Sequence, residues 1–98
     1  MPNPRPPHQN LRTPVCDLLG CEHPILLAGM GGVARSELAA AVAEAGGYGI
    51  LGMVRESPKL ISQEIDAVRA RTTKPFAVNL IPAATAPVLL ARLVGPRR

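Results

Sequence analysis

Short apolar runs alternate with segments that carry helix signals, and this alternation constrains the fold more than any other feature of the sequence. The runs cover residues 25–28, 48–52 and 76–81. The first run does not alternate polar with apolar residues, which is typical of a strand that is buried on both faces of a parallel sheet. The repeated order of strand and helix therefore predicts a parallel α/β fold with right-handed crossovers.

Capping residues mark the expected boundaries of the first two helices. Thr13 followed by Pro14 predicts a short helix that ends at Gly20. Ser36 predicts the N-cap of a second helix, and Gly46 predicts its end. The buried stripe of the second helix is predicted to be Leu38, Val42 and Ala45.

Two further helices are predicted later in the chain. Ser57 and Pro58 begin the third helix, and Pro75 marks where it has ended. Thr85 begins a fourth helix that breaks at Gly95. The buried stripe of the third helix is predicted to be Ile61, Ile65 and Val68.

Two parallel architectures fit this order of elements: an open doubly wound sheet and the first part of a (β/α)8 barrel. In both architectures, ligands bind where the carboxyl ends of the strands meet. A glycine-rich corner after the first run, Gly52 after the second and Asn79 in the third all lie at those ends. The residues alone therefore predict a ligand site at this edge of the sheet.

The glycine-rich corner reads Ala28-Gly29-Met30-Gly31-Gly32. Glycine has no Cβ, adopts positive φ at little cost and lets another group approach the backbone closely. Exposed N–H and C=O groups suit a flat or phosphorylated ligand, and the adaptable thioether of Met30 suits contact with a ring. The same glycines are also typical of a tight turn that packs a strand against a helix, so both interpretations stay open.

The glycine-rich corner matches one known nucleotide-binding motif in part and another not at all. The dinucleotide fingerprint G-x-G-x-x-G/A matches residues 29–34 with Ala34 in the last position, but the acid Glu56 follows a loop rather than the second strand. A doubly wound, nucleotide-binding module therefore remains an alternative. A P-loop is excluded because no G-K-[ST] sequence occurs.

Size and composition allow one small globular domain. The 98 residues are 47% hydrophobic and 18% charged. Aromatic residues make up 2% with no Trp, which argues against a reader of single-stranded nucleic acid. The net charge of +4 comes from the chain ends, because residues 14–91 carry six basic and seven acidic residues. We therefore expect a small-molecule substrate and no nucleic-acid partner.

Cysteines and apolar segments bound the metal content and the location. Cys16, Cys21 and His23 form C-x4-C-x-H, but a zinc site needs a fourth ligand, and His8 in a Pro-rich segment is a poor candidate. We expect no metal and two reduced thiols. No apolar run approaches the roughly 18 residues of a membrane span, and the N-terminus lacks the apolar core of a signal peptide. The expected location is the cytoplasm, without a membrane partner.

Several sequence blocks, taken together, are more specific than any single motif. They are Met30-Gly31-Gly32-Val33, residues 38–42, Ala45-Gly46-Gly47, residues 49–52 and residues 74–80. In this order they resemble the N-terminal part of the nitronate monooxygenase (2-nitropropane dioxygenase) family, over roughly residues 12–90. The resemblance implies a flavoprotein oxidoreductase, an FMN-dependent TIM barrel that oxidises alkyl nitronates with O2. An NAD(P)H-dependent flavin enoyl or quinone reductase of the same superfamily is the alternative.

The resemblance also implies which residues contact the flavin. Ala28, Gly29, Met30 and Gly31 would lie against the FMN ring, partly through main-chain atoms. Asn79 would contact the flavin through its side chain, although by position alone a strand-capping amide is an equal interpretation. The family commonly has Pro where this chain has Gly29.

The resemblance covers only part of a barrel. Residues 1–12 are expected to be a disordered Pro-rich lead, residues 13–94 the first three βα units of an incomplete barrel, and residues 95–98 a basic tail. A barrel takes about 250 residues, and the family's phosphate loops and catalytic histidine come late in it. Neither His8 nor His23 matches that histidine, so no catalytic residue is assigned. We expect a truncated or frameshifted product, inactive alone, with a non-catalytic remnant as the other possibility.

Overall fold

The structure, a computed structural model, describes residues 12–81, and within that range it contains three helices and two strands. Residues 1–11 of the predicted Pro-rich lead (residues 1–12), the predicted fourth helix and the predicted basic tail lie outside the described residues. The elements are α1 (Pro14–Leu19), α2 (Ser36–Glu44), β1 (Gly49–Gly52), α3 (Pro58–Arg71) and β2 (Phe76–Asn79).

The two strands form a parallel sheet that is connected through α3. Their register pairs Gly49 with Phe76 at one end and Gly52 with Asn79 at the other. The crossover helix begins as predicted, because the side chain of Ser57 accepts a hydrogen bond of 3.2 Å from the Leu60 N–H. This βαβ unit confirms the α/β class and brings the carboxyl ends of both strands to one edge.

The prediction of a strand at residues 25–28 is wrong. Leu26 makes only an isolated parallel bridge with Tyr48, held by Leu27 N–H to Tyr48 O at 3.0 Å and Tyr48 N–H to Ile25 O at 2.9 Å. The pairing stops because the Met30 N–H turns back to the Ala28 carbonyl at 2.8 Å.

Burial of this run also differs from the expectation. Ile25 is 58% exposed and Leu26 is 47% exposed, so the run is not buried on both faces. The bridge to Tyr48 is the one ladder contact of this run among residues 12–81. A strand with one neighbour and no cover on its outer face keeps its apolar side chains in solvent.

Helix α1 agrees with the prediction at both ends. Thr13 is extended ahead of Pro14, although its side chain makes no capping hydrogen bond. Gly20 has φ +76° and donates its N–H to the Cys16 carbonyl at 2.8 Å. Glycine is favoured at this position because the left-handed conformation costs other residues free energy.

The predicted start of α2 is displaced by one residue. Arg35 is the N-cap, and Ser36 is the first helical residue and is buried. The Ser36 N–H donates to Oε1 of Glu64 on α3 at 2.8 Å. An unpaired amide at the helix start therefore finds a carboxylate from a neighbouring helix instead of a local hydroxyl.

The predicted buried stripe of α2 is wrong. Leu38 is 36% exposed and Ala45 is exposed, whereas Val42 is partly buried. The helix approaches β1 so closely that a Cβ on Gly49 would overlap the Ala39 carbonyl. Because only small side chains permit this approach, the buried face consists of Ser36, Ala39, Ala40 and Ala43.

The core lies between the sheet and helices α2 and α3. Its largest fully buried side chains include Leu51 and Met53 from the β1 segment and Ile61 and Val68 from α3. Ile65 packs against this core while partly buried, so the predicted stripe of α3 is confirmed. Within residues 12–81, no helix is both long and apolar enough to cross a membrane.

Candidate functional site

The candidate site lies at the carboxyl edge of the sheet, where residues 28–32, here called the glycine loop, meet both strand ends. A Cβ placed on Gly29 would lie 2.5 Å from Cβ and 2.8 Å from Oδ1 of Asn79. A Cβ on Gly52 would overlap the Met30 carbonyl. Two glycines thus allow the loop to lie directly against the ends of β1 and β2.

Short-range hydrogen bonds hold the shape of the glycine loop. The Met30 carbonyl accepts from Val33 N–H at 3.2 Å and from Ala34 N–H at 2.8 Å. Gly32 occupies the left-handed region with φ +77°. Just after the loop, the Ala34 carbonyl accepts from the Gly52 N–H at 2.9 Å, which ties this segment to β1. The loop is therefore a defined turn, as the turn interpretation of the glycine-rich corner predicts.

The same loop presents unused hydrogen-bond donors. Within the part of the chain that the structure describes, the N–H groups of Gly29, Gly31 and Gly32 donate to no other group. A Cβ on Gly31 or on Gly32 would meet nothing within 4 Å. The side chain of Met30 beside them is 41% exposed. Free amides next to open space suit a ligand that approaches the backbone closely.

Asn79 completes the arrangement from the end of β2. Its carbonyl accepts from the Met53 N–H at 3.2 Å, which fixes the backbone at this point. Among residues 12–81, its side-chain amide has no hydrogen-bond partner, and the residue is exposed. The amide can both donate and accept, and it lies beside the glycine loop. The structure thus places Asn79 against the glycine loop, at Gly29.

Charged residues make contacts at the start of α2, the helix that follows the glycine loop. The sequence analysis did not predict these contacts. Nη2 of Arg35, the N-cap of α2, lies 3.0 Å from Oε2 of Glu56. Both side chains are at least two-thirds buried, with 33% and 25% exposure. Oε1 of Glu64 accepts a hydrogen bond from the N–H of Ser36, the first residue of α2. These contacts fix the helix that follows the glycine loop.

The ion pair also bears on the dinucleotide interpretation. Glu56 was the acid that could have bound a ribose hydroxyl at the end of a nucleotide fingerprint. Its carboxylate instead contacts Arg35 across 21 positions of sequence. No periodicity or spacing signals such a pair, because the fold alone brings the two residues together.

The cysteine and histidine motif lies at a different place from the glycine loop. His23 packs against the turn after α2, where a Cβ on Gly46 would lie 2.8 Å from its Cδ2. Cys16 and Cys21 are free and buried. Among the described residues, no three His, Cys, Asp or Glu side chains are grouped to hold a metal ion. His8 lies outside the described residues.

Comparison with known proteins shows the family. The chain belongs to the nitronate monooxygenase family, whose sequence model matches residues 12–89. The match covers the whole described fold, including the glycine loop and Asn79. It confirms the resemblance drawn from the sequence blocks and places the chain in a family of oxidoreductases.

Individual relatives are similar over the same region. A (3aS,4S,5R,7aS)-5-hydroxy-7a-methyl-1-oxo-octahydro-1H-indene-4-carboxyl-CoA dehydrogenase of Mycobacterium tuberculosis is 46% identical over 70 residues, which are 71% of this chain and 20% of that protein. A probable nitronate monooxygenase of Staphylococcus saprophyticus is 43% identical, with the same shares. The chain thus spans about a fifth of the length of the curated relatives it matches.

A solved structure has the same fold over most of the chain. FabK from Thermotoga maritima superimposes with a TM-score of 0.78 at 44% identity. The alignment covers 84% of this chain and 26% of FabK. The described βαβ unit and the segment before it therefore have a counterpart within a larger protein.

Proposed function

We propose that this chain is the FMN-contacting N-terminal part of a flavin-dependent oxidoreductase. One observation carries the proposal: the glycine loop, with its free amides, lies directly against the side chain of Asn79. Family membership supports FMN as the ligand, because the resemblance implies that cofactor for this family. We propose that the described βαβ unit belongs to the first part of a (β/α)8 barrel.

The residues present fit a flavin. Ala28, Gly29, Met30 and Gly31 would hold one edge or face of the ring, with amides as donors and the Met30 thioether as an apolar contact. The open space around Gly31 admits a planar group to the backbone. Asn79 would orient the ring with its amide. Bound FMN would supply the electron transfer, while these residues bind, orient and exclude water.

The proposed reaction of the complete protein is the oxidation of alkyl nitronates with O2. The match to proteins named nitronate monooxygenase supports this substrate class. We also propose that the 98-residue chain alone is inactive, because it corresponds to about a fifth of such relatives. The catalytic histidine that the resemblance implies has no counterpart among the residues of this chain.

A second candidate comes from the names of other relatives. One relative is named as a dehydrogenase of a bicyclic acyl-CoA and is 46% identical, which is as similar as the nitronate monooxygenases. A flavin-dependent oxidoreductase acting on an acyl-CoA would use the same flavin-contacting corner.

The test uses the protein expressed from its complete coding sequence. We expect it to retain a yellow flavin after dialysis and to consume O2 when propyl-2-nitronate is added. Asn79→Ala should lower the flavin affinity about fivefold, which corresponds to the loss of one hydrogen bond. The matched control is Gln63→Ala, an exposed change on α3. A protein without flavin contradicts the proposal, and flavin reduction by an acyl-CoA alone selects the second candidate.

A further inference from the structure

The two cysteines of the protein lie at the capped end of α1. Gly20 adopts φ +76°, and the Cys21 N–H donates to the Cys16 carbonyl at 3.1 Å. The Gly20 N–H bonds the same carbonyl at 2.8 Å. This pattern is a Schellman-type helix end, in which the residue after the glycine packs on the residue three positions before the helix end. Here both of those positions are cysteines.

This helix end brings the two cysteine residues together inside the protein. Cys16 is 0% exposed and Cys21 is 7% exposed. The Cys16 thiol lies 3.8 Å from the Thr13 hydroxyl, and the Cys21 thiol donates to the His23 carbonyl at 3.2 Å. Burial raises the pKa of the Cys21 thiol, and the neighbouring Cys16 thiol raises it further. The two thiols are therefore buried neighbours, and both are free.

We propose that Cys16 and Cys21 form a reversible intramolecular disulfide when a low-molecular-weight disulfide is the oxidant. The inference does not depend on flavin binding or on the proposed reaction. The pair is a redox modification site at the start of the segment that leads to the glycine loop. The helix end positions the two sulfurs before any oxidation takes place.

The chemistry balances in two exchange steps. The Cys21 thiolate attacks one sulfur of the oxidant, forms a mixed disulfide and releases one thiolate of the oxidant. The Cys16 thiolate then attacks the Cys21 sulfur and releases the second thiolate. Two protein thiols are oxidised, two small thiols are formed, and the two protons pass from the protein thiols to the released thiolates.

Cys21 is 7% exposed, so the oxidant reaches it when the short helix α1 opens locally. Only Cys21 has to meet the oxidant, since the second step is intramolecular and needs no access to Cys16. Helix α1 has six residues, and Cys16 is its one buried residue. A helix of this length has little stability of its own and opens locally at low free-energy cost.

The experiment follows the full chain in a glutathione redox buffer. Intact mass after acid quenching should show the loss of two hydrogen atoms, and peptide mapping should join Cys16 to Cys21. Cys16→Ser should keep one glutathione on Cys21, because the resolving thiol is gone. Cys21→Ser should react about tenfold more slowly, because the remaining thiol is fully buried. A wild-type chain that stops at the mixed disulfide, or forms only disulfides between chains, overturns the proposal.

A second measurement shows whether the fold is responsible. The equilibrium constant for oxidation of the wild-type chain is measured in native buffer and in concentrated urea. Because the folded helix end holds the sulfurs together, we expect a native constant at least about tenfold higher. Equal constants in buffer and urea, including the result from a chain that does not fold, overturn the inference.

Discussion

At the scale of single residues, the absence of a Cβ on Gly29 leaves room for the side chain of Asn79. A Cβ on Gly29 would lie 2.5 Å from the Asn79 Cβ, which is closer than side chains pack. Gly31, two positions along, has a negative φ and open space around its Cα. Neighbouring glycines in one loop therefore have different roles: one admits the asparagine, and the other leaves the backbone open to a ligand.

Substitution by alanine should separate these two roles. Gly29→Ala should push Asn79 aside and lower the free energy of unfolding by about 1–3 kcal/mol. Gly31→Ala should leave stability unchanged or raise it by about 0.5 kcal/mol, because the unfolded chain loses freedom. Both should weaken flavin binding. Urea unfolding and flavin titration measure the two effects, and equal destabilisation by both changes would contradict this division.

The Cys21 thiol gives a prediction about pH. Burial raises its pKa in the folded protein, followed by the effect of the Cys16 thiol. Its thiolate therefore forms at higher pH in the folded chain than in urea, and the pH midpoint for iodoacetamide alkylation should shift upward on folding. Using Cys16→Ser isolates the one thiol. In this variant the shift measures the effect of burial alone, and a midpoint that is equal or lower in native buffer would show that Cys21 is not buried.

At the scale of elements, the start of α2 depends on α3. The Ser36 N–H bonds Glu64, and the N-cap Arg35 pairs with Glu56, so two contacts fix the helix that follows the glycine loop. A partly buried ion pair of this kind adds about 1 kcal/mol at most. The shape of the loop is thus set by helix packing behind it as well as by its own glycines.

Removing the Glu64 carboxylate tests this dependence. Glu64→Ala should lower the free energy of unfolding by about 1 kcal/mol, because the buried amide of Ser36 loses its acceptor. Glu64→Gln keeps an acceptor oxygen and should cost less. Gln63→Ala, exposed on the same helix, is the control. Denaturant unfolding measures all three, and an effect of Glu64→Ala no larger than the control would refute the assignment.

Local signals were enough to predict some elements and not others. Helix α3 could be predicted because its cap, Ser57 and Pro58, and its apolar stripe are contained in one segment. The face of α2 could not, since its burial depends on how closely Ala39 approaches Gly49 on β1. The contact between Ser36 and Glu64 spans 28 positions and leaves no local pattern. The meeting of the glycine corner with Asn79 followed from parallel topology, which places strand ends at one edge.

At the scale of the whole molecule, the described fold leaves apolar side chains in solvent. Leu18 is 80% exposed, Val33 is 59% exposed and Ile25 is 58% exposed. The chain corresponds to about a quarter of FabK, so the aligned region sits within a larger fold there. Exposed apolar surface next to an open strand edge favours association with other polypeptide.

Self-association of the chain should therefore depend on concentration. Sedimentation velocity of the purified 98-residue chain should show larger species as the concentration rises, because apolar surface is buried between copies. Ile25→Lys, on the exposed run, should reduce the association. A chain that stays monomeric at all concentrations and unfolds cooperatively would contradict the proposal that its fold is incomplete.

The most direct measurement of the central claim is an NMR titration with FMN. It uses the ¹⁵N-labelled protein expressed from its complete coding sequence, with inorganic phosphate as the control ligand. The account predicts FMN-specific shifts of the Gly29, Gly31 and Gly32 amides and of the Asn79 side-chain amide. The amide of Gly46, at the turn after α2, should not move. Shifts elsewhere with none in the glycine loop, or no difference between FMN and phosphate, would contradict the assignment of this corner as a flavin contact.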